Sequence, residues 1–154
     1  MAGDRTHSAF HDVHATPKAV YRAFLSRDAM SSWLPPTGAT GVFDVFEPHA
    51  GGRFRLTLTF DSAKGKSSEH TDVVKGRFAE WLPHRRIVMI VEFDSDDVAF
   101  SGSMTMTWEL QATSTGTRVT TLAEHVPAGI SQADHETGMR SSLANLAAHV
   151  EKHP

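Results

Sequence analysis

The sequence predicts an α+β protein in which a curved antiparallel sheet is wrapped around one long C-terminal helix. Three observations lead to this fold class. The length of 154 residues suits one hydrophobic core. Apolar and polar residues alternate with period two through the middle of the chain, and the period becomes helical after Pro127-Ala128-Gly129. We therefore expect residues 1–154 to form one domain.

The start of the chain is predicted to hold one strand and two short helices. The strand runs from Thr6 to Ala15. Thr16 then supplies an N-cap, and Pro17 takes the first helical position, where its missing N–H is tolerated. The second helix, from Asp28 to Leu34, must end before Pro35 because proline removes a backbone donor.

The middle of the chain is predicted to form antiparallel strands from Val42 onward. In the clearest strand, Arg53 to Phe60, apolar side chains alternate with Arg and Thr, so one face is dry and the other wet. Short connections containing glycine imply antiparallel neighbours. The other predicted strands are Asp72 to Leu82, Arg86 to Phe93, Met104 to Leu110 and Thr117 to Val126, with polar hairpin ends at Asp61 to Glu69 and Asp94 to Ser103.

The terminal helix is predicted to start after a Ser131 cap and to end near His153. Glu136 and Arg140 have the spacing of an exposed ion pair. Gly138 is unfavourable inside a helix, which suggests a close approach or a hinge there. The apolar stripe that should face the sheet is Met139, Leu143, Leu146, Ala147 and Val150.

Composition narrows the possible partners. The net charge is −3 and the longest basic run is His84-Arg85-Arg86, so nucleic acid is an unexpected partner. The first residues are polar and the longest aliphatic run is only Ile87 to Val91, so we expect a protein that is neither exported nor membrane-spanning. It contains no cysteine, which excludes disulfides and suits a reducing cytoplasm. We expect a cytoplasmic protein, whose state as monomer or homodimer stays open.

Several local phrases, in this order along the chain, resemble the activator of heat-shock-protein-90 ATPase homologue-like family of the START and birch-pollen-allergen-like (SRPBCC) superfamily. The resemblance covers essentially the whole chain. The phrases are Thr16-Pro17-Lys18-Ala19-Val20-Tyr21-Arg22-Ala23-Phe24, Met30-Ser31-Ser32-Trp33-Leu34-Pro35-Pro36, Gly51-Gly52-Arg53-Phe54-Arg55, Lys75-Gly76-Arg77-Phe78-Ala79-Glu80, Pro83-His84-Arg85-Arg86-Ile87-Val88, Met106-Thr107-Trp108-Glu109-Leu110 and Leu143-Ala144-Asn145-Leu146-Ala147-Ala148-His149-Val150.

The resemblance implies the helix-grip fold, with a seven-stranded sheet around the long helix and a cavity between them. Many relatives carry Gly-Trp near the middle of the last helix, and this chain has Gly138-Met139. Methionine is smaller and more flexible than tryptophan and should enlarge or soften the cavity. The ligand of a relative with Trp at this position is therefore not expected to be the ligand of this chain. One fold of this kind supports many functions.

The inner sheet face and the helix stripe together form the candidate ligand site. Four of its positions are methionine, whose flexible side chain adapts to varied apolar partners. The alternative is that these residues pack on one another as ordinary core. The candidate ligand-binding residues are Trp33, Phe43, Phe54, Leu56, Leu58, Met89, Met104, Met106, Trp108, His135, Met139 and Leu143.

The sequence contains no motif that assigns a metal, a cofactor or a catalytic residue. His149 and His153 have helical i,i+4 spacing but no obvious third ligand, and His135-Glu136 fails as a zinc-protease motif because Met139 replaces the second histidine. We therefore expect no metal and no cofactor. No nucleophile with a base can be assigned, so no catalytic residue is predicted. His135 is the best acid–base candidate, although an exposed polar residue is the more ordinary interpretation.

The leading hypothesis is a protein that binds an apolar small molecule between sheet and helix, driven by burial of apolar surface. One alternative is a cyclase-like or hydratase-like enzyme in which a pocket histidine moves a proton. Another, implied only by the family resemblance, is an interaction domain that stimulates a chaperone ATPase.

Overall fold

The computed structural model describes residues 5–61 and 71–153. One predicted loop, Asp61 to Glu69, lies almost wholly outside these residues. The structure contains seven strands and three α-helices in the described ranges: β1 Thr6–Val13, α1 Pro17–Leu25, α2 Arg27–Trp33, β2 Ala39–Phe46, β3 Arg53–Phe60, β4 Thr71–Leu82, β5 Arg86–Phe93, β6 Met104–Ala112, β7 Thr117–Glu124 and α3 Gln132–Lys152.

The seven strands form one antiparallel sheet in the order β1-β7-β6-β5-β4-β3-β2. Every neighbouring pair except β1 and β7 is also consecutive in sequence, so the sheet is a meander whose first strand joins its last. Register irregularities interrupt β2 near Phe43 and β4 near Phe78, where extra residues bend the strands. Such bends add to the curvature that strand twist gives an antiparallel sheet.

Helix α3 lies along β1 and contacts α1 and α2. Its direction is parallel to β1, because Ser8 N–H donates to the Glu136 carboxylate near one end and His14 N–H to the Glu151 carboxylate near the other. The first turn of α3 therefore lies at the end of the sheet where β1 begins and β3 ends. Helices α1 and α2 lie at the opposite end.

The predicted fold class is confirmed, and most element bounds are close to those expected. β1 ends at Val13 and β7 at Glu124, each two residues earlier than predicted, and β2 starts three residues before Val42. The stretch 94–103 is not wholly irregular, since Val98–Phe100 forms a 3-10 turn capped by the Asp97 side chain. No described helix is long and apolar enough to cross a membrane.

Candidate ligand-binding site

The predicted ligand residues of the central strands share the concave face. Cross-strand register pairs Met89 with Met106 and Val91 with Met104, and side chains of directly paired residues point to the same face. On the far side of the sheet, Phe43 pairs with Leu56 in the same way. The structure therefore brings these side chains onto one apolar floor.

The closed end of this floor lies beneath α1 and α2. Phe24, Trp33 and Trp108 form a cluster in which every pair meets edge to face, with ring centroids 4.9 to 5.5 Å apart. The indole of Trp33 donates to the Ala23 carbonyl at 2.9 Å. Exposure of these three side chains is 2% or less. This end is filled by the protein's own aromatic rings.

The open end lies at the first turn of α3. Here Leu58, Val74, Phe93 and Met106 pack against the core yet remain half-buried. Asp72 pairs with Leu58 and is 1% exposed, so a buried carboxyl group stands beside these apolar residues. The open end is therefore where apolar surface on the concave face meets solvent.

Of the eleven predicted apolar ligand residues, only Leu58 and Met106 belong to this half-buried group. The other nine are 5% exposed or less and belong to the hydrophobic core: Trp33, Phe43, Phe54, Leu56, Met89, Met104, Trp108, Met139 and Leu143. The sequence did not reveal Val74 or Phe93 as site residues. Both lie in strands that were predicted, but their face depends on the β4–β5 register, which pairs them directly.

The helix wall of the site contains Met139 and Leu143, both buried. Gly138, which precedes them, does not make a close approach, one of the two explanations that the sequence offered beside a hinge. A Cβ built at Gly138 has no heavy atom within 4 Å, so the space beside it is open. Glu136 also departs from expectation: its carboxylate accepts from Ser8 N–H at 3.0 Å and from the Gln132 amide at 3.3 Å, and joins helix to sheet.

His135 lies at the open end and is hydrogen-bonded to His7 of β1. The two Nδ1 atoms are 2.8 Å apart, and the rings meet edge to face. His7 is 3% exposed, and burial, followed by the charge of Arg5, lowers its pKa. The carboxylate of Glu136 acts in the opposite direction. Because one nitrogen must accept, this contact needs at least one neutral imidazole.

The loop between α2 and β2 fixes the middle of α3 by four hydrogen bonds, two of them between Thr37 and Ser141. Ser142 Oγ donates to the Leu34 carbonyl at 2.5 Å, and the Asn145 amide donates to the Pro35 carbonyl at 3.0 Å. Thr37 N–H donates to Ser141 Oγ at 2.8 Å. These contacts fix the position of α3 relative to the sheet. No local sequence pattern predicted them.

Two surface depressions of about 380 Å³ each lie away from this floor. One is between α1, α2 and the end of α3, where Arg22, His149 and His153 surround small apolar residues. The other is formed by 14–17 and 112–116. Neither contains a predicted ligand residue.

Metal ligation finds no support in the described parts of the chain, which contain no group of three His, Asp or Glu side chains able to hold an ion. The rings of His149 and His153 are close, with centroids 4.9 Å apart. Burial and the neighbouring His153 lower the pKa of His149. Two imidazoles without a third ligand do not make a typical zinc site.

The convex face of the sheet is ionic. The Arg86 guanidinium contacts the carboxylates of Glu109 at 2.7 Å and Glu80 at 3.1 Å. Arg118 binds Asp12 at 2.8 Å and lies over the Phe10 ring, 4.4 Å from its centroid. This face therefore has the mixed charge of a solvated surface, as the strand alternation predicted.

Comparison with known proteins gives a consistent family and fold. Residues 14–151 match the family described as Activator of Hsp90 ATPase homolog 1-like protein. A crystal structure of a Chromobacterium violaceum protein is 30% identical, with 98% of this chain and 99% of that chain covered and a TM-score of 0.85. A Rhodobacter sphaeroides protein is 21% identical over 100% of this chain and 95% of that one, with a TM-score of 0.79.

A solution structure from Arthrobacter aurescens is 16% identical, covers 99% of this chain and 89% of its own, and has a TM-score of 0.80. These two more distant likenesses concern the fold alone. A search of curated proteins found no significant match.

Proposed function

The chain belongs to the Activator of Hsp90 ATPase homolog 1-like family, and from this premise we propose that it binds an apolar small molecule at the open end of its concave sheet face. The supporting observation is the group of half-buried apolar side chains there, Leu58, Val74, Phe93 and Met106. Covering them with a ligand removes apolar surface from water, which is worth about 25 cal/mol per Å².

The twelve residues expected from the sequence divide into two roles in this proposal. Leu58, Met106 and His135 contact the ligand at the entrance. The buried residues shape the floor and wall behind them, and methionine side chains there adjust to the shape of the ligand. The proposed place of action is the cytoplasm, in keeping with the absence of cysteine.

The proposal is tested by narrowing the open end with a large side chain. Leu58→Trp places an indole among the half-buried residues, whereas Val42→Trp places one on the convex face of the adjacent strand, where Val42 is 66% exposed. Affinity is measured for a panel of fatty acids, flavonoids and sterols. We expect Leu58→Trp to weaken binding about tenfold or more and Val42→Trp to leave it within twofold.

Equal affinities in the wild type, Leu58→Trp and Val42→Trp would show that the ligand does not bind at the open end. Stability is measured on both variants by urea unfolding, so that loss of binding through loss of the fold is recognised.

A proton-transfer function is the second candidate, and the His7–His135 contact favours it. Because the pKa of His7 is lowered, its imidazole is neutral at pH 7 and able to accept a proton through the pair. Incubation with 2-tetralone in D₂O tests this: a base at the open end exchanges its α-protons for deuterium, and His135→Gln abolishes the exchange. Exchange no faster than in buffer would reject the enzyme.

A further inference from the structure

Two buried polar atoms at the inner end of the site have no hydrogen-bond partner among the described residues. They are Nε1 of Trp108 and Oγ1 of Thr121. The residues are 2% and 0% exposed. Most buried polar atoms in folded proteins are hydrogen-bonded, and leaving one unpaired is unfavourable. Two unpaired atoms on neighbouring residues therefore call for a partner that the described side chains do not supply.

These two residues are direct neighbours on the concave face. Trp108 of β6 pairs with Thr121 of β7, and on its other side Trp108 pairs with Ile87. The third unpartnered buried atom, Nε1 of Trp81, belongs to the same cross-strand row, because Trp81 pairs with Ile87. These three polar atoms therefore belong to one cross-strand row of the concave face.

The row lies next to the solvent-accessible part of the floor. Met106 and Ala123 form the adjacent same-face pair, two residues along each strand, which corresponds to roughly 7 Å. Met106 is half-buried, and its side chain has three rotatable bonds and adapts readily. The Trp108–Thr121 pair is therefore one same-face step from the half-buried Met106, where the closed end meets the open end.

The chemistry of the pair selects the group it would hold. An indole N–H only donates, and a threonine hydroxyl donates or accepts. An oxygen with two lone pairs matches both atoms. The row itself, Trp81, Ile87, Trp108 and Thr121, contains no cation, so a carboxylate would be buried there without a counter-charge. The fitting group is a neutral carbonyl or hydroxyl.

We propose that the ligand is an apolar molecule with a neutral carbonyl or hydroxyl oxygen, which accepts from Trp108 Nε1–H and bonds the Thr121 hydroxyl. This inference rests on the proposed function, because it specifies the ligand of the same site. It makes Trp108 and Thr121 the residues that select the ligand class, while the half-buried residues at the entrance supply apolar contact.

The test uses two probes of similar shape, 2-acetylnaphthalene and 2-isopropylnaphthalene, which differ in having a ketone oxygen or a methyl group. Thr121→Val is nearly isosteric and removes the hydroxyl. Its matched control is Thr120→Val, on the convex face of the same strand, where Thr120 pairs with Glu109. We expect Thr121→Val to weaken ketone binding about three- to tenfold, as for loss of one hydrogen bond. Hydrocarbon binding and the control should stay within twofold.

An NMR measurement on the wild type makes the test independent of any variant. The ketone should move the Trp108 indole N–H resonance downfield from its position with the hydrocarbon probe, which has no oxygen to accept that hydrogen bond. If both probes bind but Thr121→Val affects them equally and the Trp108 signal does not move, the inference is wrong and the proposed function stands. If neither probe binds, the inference is wrong; the proposed function is wrong as well only if the fatty acids, flavonoids and sterols also fail to bind.

Discussion

The closed and open ends of the concave face use the same kinds of residue but are covered to different degrees. At the closed end, α1 and α2 bury Phe24, Trp33 and Trp108 to 2% exposure or less. At the open end, Leu58 and Met106 pack against the core and remain half-buried. One end is filled by packed rings that stabilise the fold, while at the other end Leu58 and Met106 remain partly exposed.

The largest expected effect is that truncating a side chain at the closed end lowers stability more than truncating one at the open end. Trp33→Ala removes a fully buried ring and its bond to the Ala23 carbonyl, and should lower the free energy of unfolding by about 3–5 kcal/mol. Leu58→Ala removes a half-buried side chain and should lower it by less than about 2 kcal/mol. Urea unfolding measures both. Equal losses would show that the two ends do not differ in packing.

The cap of α3 should matter next, because it orders the helix at the open end. Ser131 Oγ accepts from Asp134 N–H at 3.1 Å. Ser131→Ala should lower the free energy of unfolding by about 1 kcal/mol and speed amide exchange in the first turn of α3. The matched control is Ser26→Ala, which removes the cap of α2 at the closed end and should leave exchange in α3 unchanged.

A smaller effect of opposite sign is expected at Gly138. Because a Cβ there meets no atom within 4 Å, Gly138→Ala adds helix propensity without a clash and should raise the free energy of unfolding by up to about 1 kcal/mol. Thermal unfolding followed by circular dichroism measures the change. A lower melting temperature would mean that this part of α3 needs glycine for a reason other than space.

The smallest effect is a pH dependence at the open end. The pKa of His7 is lowered in the folded protein, so the unfolded chain binds this proton more readily. The contribution of His7 to the free energy of unfolding is therefore constant at pH values well above 6.5, the usual pKa of histidine. It decreases as the pH falls through about 6.5. The groups acting on His7 are His135, Arg5 and Glu136. His7→Gln should flatten the stability profile between pH 7.5 and 5.5, and an unchanged slope would exclude His7 as its source.

The sequence predicted the fold well because its periodic signals are strong. The bounds of β3 and β5 agree with the predicted strands, and Ser131 caps α3 as expected. The site was predicted less completely. The His7–His135 contact joins residues 128 positions apart, and the Trp108–Thr121 pairing depends on strand register. The local sequence pattern shows which residues are apolar. It does not show which of them stay exposed at the open end, because that depends on how α3 packs on the sheet.

The measurement that tests the central claim most directly is NMR of the methionine methyl groups during ligand titration. Met106 lies at the open end, while Met30 of α2 is fully buried at the closed end. If the open end binds the ligand, the Met106 methyl signal shifts with saturation, Met104 and Met139 follow more weakly, and Met30 stays constant. A saturable shift at Met30 with none at Met106 would contradict this account.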